Sequence, residues 1–203
     1  MNAAKIRLSQ KEMELVTNAD LILTKNAILN KVKEMLAKLQ PEQERHLQLY
    51  KGKIPEDLFL SSPKISKGEN YNGLPYLILD FPKVFNTTTV YAIRTMFWWG
   101  NFFSITLHLS GTYKKKNEEK IIAAFEVLQK NGFFYCANDE EWEHHFEPGN
   151  YISLTTITKE CFEKEVGKKD FIKLAHKIPL QQWVNAEENM LTCFKQLIKI
   201  LAD

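Results

Sequence analysis

The most unusual side chain of this sequence is an arginine at the start of a long uncharged stretch. Between Arg94 and Lys114 no residue carries a formal charge, and aromatic and β-branched residues, which favour strands, are frequent there. Gly100 and Asn101 lie between two such runs and predict a two-residue hairpin turn. A guanidinium offers a rigid fork of donors to a carboxylate or a phosphate. Arg94 is therefore a candidate for ligand chemistry.

The predicted turn sets the register of the hairpin. It pairs Trp99 with Phe102 and, because side chains alternate between the two faces of a strand, it places Arg94 on an apolar face. The other residues of that face are Ala92, Met96, Trp98, Phe103, Ile105, Leu107 and Leu109. A charge there needs a partner, and Asp80, near the end of a predicted strand at 74–81, is the candidate. Arg94 is then a structural ion pair or a snorkelling arginine, or else the anion hook of a pocket; a one-residue shift in register would move it to the other face.

The other predicted face mixes aromatic rings with hydroxyl groups and a histidine. Its members are Ile93, Thr95, Phe97, Trp99, Phe102, Ser104, Thr106 and His108. This mixture is typical of a ligand pocket or of a half-buried sheet face. In an enzyme, His108 would be the acid/base, Asp80 would orient a group and Arg94 would stabilise negative charge. The predicted register opposes that reading, because it puts His108 and Arg94 on opposite faces, and no GxSxG nucleophile motif is present.

A polar stretch, residues 50–73, is predicted to be a long irregular loop before the strand at 74–81. Loops of this length in a compact domain are often functional. Lys67 and Tyr71 are its candidate ligand-binding residues, although the P-loop spacing is missing. The alternative is a loop that only crosses the surface.

Metal-capable side chains are densest at residues 139–147. His144, His145 and Glu147 are candidate ligands there. No HExxH spacing is present, and adjacent histidines point apart in a strand or a helix, so a metal site would need ligands from elsewhere. We therefore predict an acidic, solvated turn and no metal. No glycine-rich strand–turn–helix fingerprint is present, and no cofactor is predicted.

The remaining patterns predict a single α+β domain. Residues 1–50 form a helical layer that includes a capping box of Ser9 and Glu12, and Pro41 suits the start of a further helix. Residues 74–180 form a mostly antiparallel sheet around the central hairpin, with one inserted helix that Asn117 caps. Residues 181–203 form a C-terminal amphipathic helix. The C-terminal helix is expected to pack on the sheet; the N-terminal helical layer could pack on the sheet, the more common outcome, or form a dimer.

Composition limits the possible partners and the compartment. The chain has 203 residues and a net charge of +2, from 27 basic and 25 acidic residues, so nucleic-acid binding is not expected. The uncharged stretch contains too many polar residues for a membrane span, and the first 14 residues contain no apolar run typical of a signal peptide. Three widely spaced cysteines indicate reduced thiols and a cytoplasmic location.

These observations favour a non-catalytic binding or interaction module. The ligand would be a small anionic or aromatic molecule, with Arg94 as its charge partner and Phe97, Trp99 and Phe102 as walls, or else a protein partner. The alternatives are an enzyme that uses His108 with Arg94 and Asp80, and a homo-oligomeric structural protein. In the last case, exposed Trp98 and Trp99 would form the interface of a homodimer.

Overall fold

A seven-stranded antiparallel sheet forms the centre of the computed structural model, which describes residues 6–203. The strands are β1 (Lys64–Tyr71), β2 (Leu74–Phe85), β3 (Val90–Trp98), β4 (Phe102–Ser110), β5 (Phe134–Cys136), β6 (Tyr151–Ser153) and β7 (Phe171–Pro179). Their order across the sheet is β1-β2-β3-β4-β7-β5-β6, and every neighbouring pair is antiparallel. The predicted single-domain α+β fold with an antiparallel sheet is confirmed. The first five residues of the predicted helical layer and of the segment inspected for a signal peptide lie outside the described residues.

Helices cover one face of this sheet. They are α1 (Gln10–Thr17), α2 (Ala19–Gln48), α3 (Gly111–Ala123), α4 (Phe125–Lys130), α5 (Lys159–Lys168) and α6 (Ala186–Ala202). The apolar stripe of α6 and the buried stripe of α2 meet the inward side chains of β2, β3 and β4 in one core. Short 3₁₀ turns at Glu56–Leu60, Leu154–Thr156 and Leu180–Asn185 connect these elements. Within residues 6–203, no helix has the length and apolarity that crossing a membrane requires.

The register of the central hairpin differs from the predicted one. Trp98, not Trp99, pairs with Phe102, because the turn has three residues instead of two. Gly100 adopts a left-handed backbone conformation in this turn, at φ +72°, as hairpin loops of three residues commonly require. The shift of one residue brings Arg94 opposite Thr106 and puts it on the same face as His108. The prediction that Arg94 and His108 lie on opposite faces is therefore wrong.

Several element boundaries also differ from the predicted ones. The sheet begins at Lys64, since the stretch predicted to be a loop contains strand β1, whose polar composition is compatible with its position at the edge of the sheet. Three helices, α3, α4 and α5, lie between the strands, instead of one.

Helix α3 begins at Gly111, and Asn117 is buried inside it, where its side chain donates to the carbonyl of Tyr113. Helix α2 continues through Pro41 without a new start, while the capping box of Ser9 and Glu12 is present.

Gly111 joins β4 to α3 at a position that only glycine can occupy without strain. Its φ is +58°, and a Cβ atom would lie 2.3 Å from the carbonyl oxygen of Thr88. We expect Gly111→Ala to lower the free energy of unfolding by at least about 3 kcal/mol, from backbone strain together with overpacking. Gly100→Ala is the matched control, because Gly100 also has a positive φ but no atom within 4 Å of the added Cβ; it should cost about 1–2 kcal/mol. Urea unfolding of both variants measures the difference, and equal losses would contradict the role of the Thr88 contact.

Candidate functional site

The second face of the sheet is covered by an irregular segment instead of helices. This cover segment, residues 137–150, runs between β5 and β6. Phe146 anchors it: its ring stacks on Tyr151 with 4.6 Å between centroids and meets the rings of Phe102 and Phe134 edge-on. The side chains that precede Phe146 in the segment reach a group of charged residues on the sheet.

We call this group the polar centre: Asp80, Arg94, His108 and Lys173 from the sheet, with Glu141 and His144 from the cover segment. The strand register explains how the four sheet residues meet. Asp80 and Arg94 are directly opposite on β2 and β3, and His108 and Lys173 are directly opposite on β4 and β7. Cross-strand neighbours of this kind have side chains close enough to interact.

Arg94 uses both edges of its guanidinium. Its Nε and Nη2 donate to the two carboxylate oxygens of Asp80 at 2.8 and 3.0 Å. The partner predicted for Arg94 is therefore confirmed. Its Nη1 lies 2.8 Å from Nε2 of His144, and because arginine only donates, the histidine nitrogen must accept. Burial, followed by the positive charges of Lys173 and Arg94, holds the pKa of His144 well below its usual range, so the imidazole is neutral as this bond requires.

His108 contacts the carboxylate of Glu141, with Nε2 and Oε2 2.9 Å apart. Burial lowers the pKa of His108 to about 4, an effect that Glu141 opposes and that Lys173 and Arg94 reinforce. The ring is therefore neutral at pH 7 and donates its Nε2 proton to Glu141. The indole of Trp142 packs edge-on against the His108 ring, with 5.1 Å between centroids.

Lys173 is a buried ammonium group that the cover segment satisfies. Its Nζ donates to the main-chain carbonyls of Glu141, at 2.8 Å, and Glu143, and it lies 5.4 Å from the ring centroid of Tyr151. Burial lowers the pKa of Lys173 to about 8, which leaves the side chain mostly charged at pH 7. Lys173 alternates in β7 with Ile172 and Leu174, which belong to the helix-covered core. Its burial could not be read from the sequence, because the segment that covers it lies about thirty residues earlier in the chain.

Two of the cavities that adjoin the polar centre bear on access to it. The smaller, of about 10 Å³, is bordered by Arg94, His108, Lys173, His144 and Trp142 among others; it is at the lower limit for a single water molecule. The larger is an open groove of about 940 Å³ between the β2–β3 turn, the start of α3 and the cover segment. Trp142 borders both cavities, and Glu141 of the polar centre borders the groove directly.

The structure brings together four of the eight sequence candidates for ligand binding. Asp80, Arg94 and His108 belong to the polar centre, and Tyr71 lies beside it. The Tyr71 hydroxyl donates to the carboxylate of Glu143 at 2.9 Å and accepts from the main-chain N–H groups of the two residues that follow Glu143. It therefore fixes the cover segment to β1.

The other four candidates lie elsewhere. Phe97 is in the helix-covered core, with Trp99 against it at the hairpin turn. Phe102 is on the second face but packs against Trp98, Phe146 and Lys177 instead of the side chains of the polar centre. Lys67 is on the surface of β1 and forms an ion pair with Glu69 at 2.7 Å. Phe97 and Phe102 face opposite sides of the sheet and so do not border a common pocket.

The metal candidates point in different directions. His144 accepts from Arg94, whereas His145 accepts from the N–H of Glu147 and lies 3.6 Å from the carboxylate of Glu143. No cluster of three or more metal-capable side chains occurs between residues 6 and 203. The segment predicted to be a solvated acidic turn is instead the lid of the polar centre.

Trp98 is not available for the predicted homodimer interface. Its side chain is buried, and its Nε1 donates to the carbonyl of Tyr71 at 3.1 Å. Only Trp99 of the pair is partly exposed at the turn. Comparisons of the chain with protein-family models, with curated proteins and with solved structures found no match, which leaves the geometry of the polar centre as the basis for function.

Proposed function

We propose that this protein binds a small anionic ligand at the polar centre and that the ligand reaches it from the adjoining groove. One observation carries the proposal. Within residues 6–203, the hydrogen bonds of the His108 ring and the Lys173 ammonium go to a carboxylate and two carbonyls of the cover segment. These oxygens occupy the positions that the oxygens of a bound carboxylate or phosphate would take.

The charge of the polar centre favours an anion once Glu141 withdraws. Arg94 and Lys173 are positive and Asp80 is negative, which leaves one excess positive charge under the cover segment. A buried unpaired cation is costly, and the carboxylates of Glu143 and Glu141 both favour the charged form of Lys173. An external anion would replace the contribution of Glu141. Glu141 thus acts as an internal competitor, and the affinity for a ligand is reduced by the fraction of molecules in which the cover segment is closed.

The groove is the route by which a ligand would reach this position. Its volume of about 940 Å³ is at the upper end of the range for small-molecule sites. Glu141 and Trp142 form part of its wall, and the Trp142 side chain is 47% exposed. Displacement of the Glu141 and Trp142 side chains opens the groove to His108, and displacement of the main chain at 141–143 is needed to free Lys173; neither requires movement of the sheet.

Glu141→Gln tests this competition directly. The variant removes the competing negative charge but keeps a side chain that can accept from His108. We expect it to bind inorganic phosphate or benzoate about tenfold more tightly than the wild type, which corresponds to about 1.4 kcal/mol. Isothermal titration calorimetry measures the affinity, and the rise in unfolding temperature with ligand provides an independent readout.

Glu140→Gln is the matched control for this experiment. Glu140 borders the same groove and carries the same charge, but it contacts its neighbours in the cover segment through its main chain, whose N–H donates to the side chain of Asn138 and whose carbonyl accepts from Glu143. It should leave the affinity near that of the wild type. Equal gains in both variants would reduce the effect to the general charge of the groove, and no binding of either probe by Glu141→Gln would overturn the proposal.

A second candidate function is catalysis with His108 as a general base. It is favoured by the register, which puts His108, Arg94 and Asp80 on one face of the sheet, where His108 and Arg94 border one small cavity. Because Nε2 of the neutral His108 ring donates to Glu141, its Nδ1 is the nitrogen that would accept a proton from a substrate. A screen of chromogenic carboxylate and phosphate esters tests this function, and any activity must be lost in His108→Asn.

We further propose a reducing compartment, the cytoplasm, as the location of the protein. The observation that supports it is the state of the three cysteines. Cys161 is an exposed free thiol, and Cys136 and Cys193 are buried free thiols. Exposed thiols persist mainly where the compartment keeps them reduced.

A further inference from the structure

The N-terminal arm, residues 6–23, is apolar and has no packing partner within the described chain. It comprises α1 and the first residues of α2, and none of its residues is buried. Its exposed apolar side chains include Met13, Leu15, Val16, Leu21, Ile22 and Leu23, of which Val16 is 68% exposed and Leu23 is 63% exposed. Such a concentration of apolar surface marks an interaction site.

The arm is distinct from the part of α2 that belongs to the core. The first ion pair between α2 and the sheet joins Lys25 to Glu69 at 2.7 Å, and the buried stripe of α2 begins at Leu29. Helix α1 has a complete capping box, but helices of eight residues are marginal in water on their own. Packing against a further surface would supply the stability that α1 lacks.

We infer that this arm packs antiparallel against the arm of a second copy of the chain, about a two-fold axis. The order of charges along the arm supports this partner. Arg7 and Lys11 come first, and Glu14 and Asp20 follow. In an antiparallel pair centred between Met13 and Glu14, Arg7 of one copy lies opposite Asp20 of the other. Lys11 lies two positions from Glu14 and offsets the repulsion between Glu14 and the neighbouring Glu12, so the Arg7–Asp20 contacts carry the complementarity. A two-fold axis repeats each favourable contact twice.

A membrane surface fits the arm less well. Helices that lie on membranes are rich in lysine and arginine on their polar face. The arm has two basic residues, Arg7 and Lys11, against three acidic ones, Glu12, Glu14 and Asp20. Anionic lipid would therefore not attract it electrostatically.

Charge reversal in the full-length chain tests the inference. One variant, Arg7→Glu with Lys11→Glu, makes the arm acidic; the other, Glu14→Lys with Asp20→Lys, makes most of its charges basic. Glu12 is kept, because it caps α1. We expect the wild type to sediment as a dimer of the 23.7 kDa chain, each variant to dimerise at least tenfold more weakly, and an equimolar mixture of the two variants to recover the dimer.

Recovery of the dimer when the two variants are mixed would show that the arms pair specifically, because non-specific association would not depend on opposite charges in the two copies. The urea midpoint of each variant should match that of the monomeric wild type, since the arm makes no contact with the core that these substitutions remove. A wild type that stays monomeric, or variants that dimerise as strongly as the wild type, would overturn the inference. Binding of a monomeric wild type to phosphatidylserine vesicles would assign the arm to a membrane surface instead.

Discussion

Replacing Arg94 with alanine is expected to lower the free energy of unfolding by about 3–5 kcal/mol. The substitution leaves the carboxylate of Asp80, whose side chain is only 13% exposed, without its two hydrogen bonds from the guanidinium. It also removes the donor to Nε2 of His144. Urea unfolding at pH 7 measures the loss.

Arg45→Ala is the matched control for this substitution. Arg45 forms an ion pair of similar length with Glu42, at 2.8 Å, but its side chain is 71% exposed, and exposed pairs contribute at most about 1 kcal/mol. The double variant Asp80→Ala/Arg94→Ala should lose less stability than the sum of the two single variants, because it strands no charge. If Arg94→Ala costs no more than Arg45→Ala, the ion pair is not structural, and Arg94 is free to serve as the anion hook of a pocket.

Acid is expected to destabilise the protein through its buried histidines. The pKa of His108 is about 4 in the folded protein against an ordinary value of 6.5, so the unfolded chain binds the proton more readily between these two values. The contribution to stability is fully present above pH 6.5 and is lost as the pH falls towards 4. Between pH 7 and pH 5 this single group should cost about 2 kcal/mol. The pKa values of His144, His46 and His176 are also lowered, chiefly by burial, and act in the same direction.

His108→Asn isolates the contribution of this one histidine. Asparagine can still donate to Glu141 but does not titrate, so the fall in stability between pH 7 and pH 5 should be about 2 kcal/mol smaller than in the wild type. Lys173 does not interfere, because its pKa of about 8 against 10.5 affects stability only in the alkaline range between those values. An identical pH dependence in the wild type and in His108→Asn would show that His108 is not buried in the neutral form.

The fold class was predictable because it depends on local patterns. The stripe of α6 and the alternation in β2 each repeat within a few residues, and the capping box of α1 lies within four. The hairpin register was not predictable to one residue, because turns of two and three residues both use glycine and asparagine. This shift of one residue decides whether His108 lies on the same face of the sheet as Arg94.

The polar centre was only partly predictable, for a different physical reason. Asp80 and Arg94 were paired correctly, since both are charges in strands predicted to be adjacent. Glu141 and Lys173 meet across 32 positions of sequence through a segment that has no regular structure, and no periodic pattern reports such a contact. The density of charge at 139–147 therefore indicated solvent, and Asp139 is fully exposed. The carboxylate of Glu141 nevertheless contacts His108, and main-chain carbonyls of the same segment accept from the buried Lys173.

The two edges of the sheet have a consequence for how the protein behaves at high concentration. Unpaired strand edges are templates on which further chains add and aggregate. At one edge, β1 carries exposed Lys64 and has an irregularity in register between Gly68 and Tyr71; at the other, β6 has only three residues. Both are devices that disfavour strand addition, so the native sheet is a poor seed for fibrils, and ordered self-association is left to surfaces outside it.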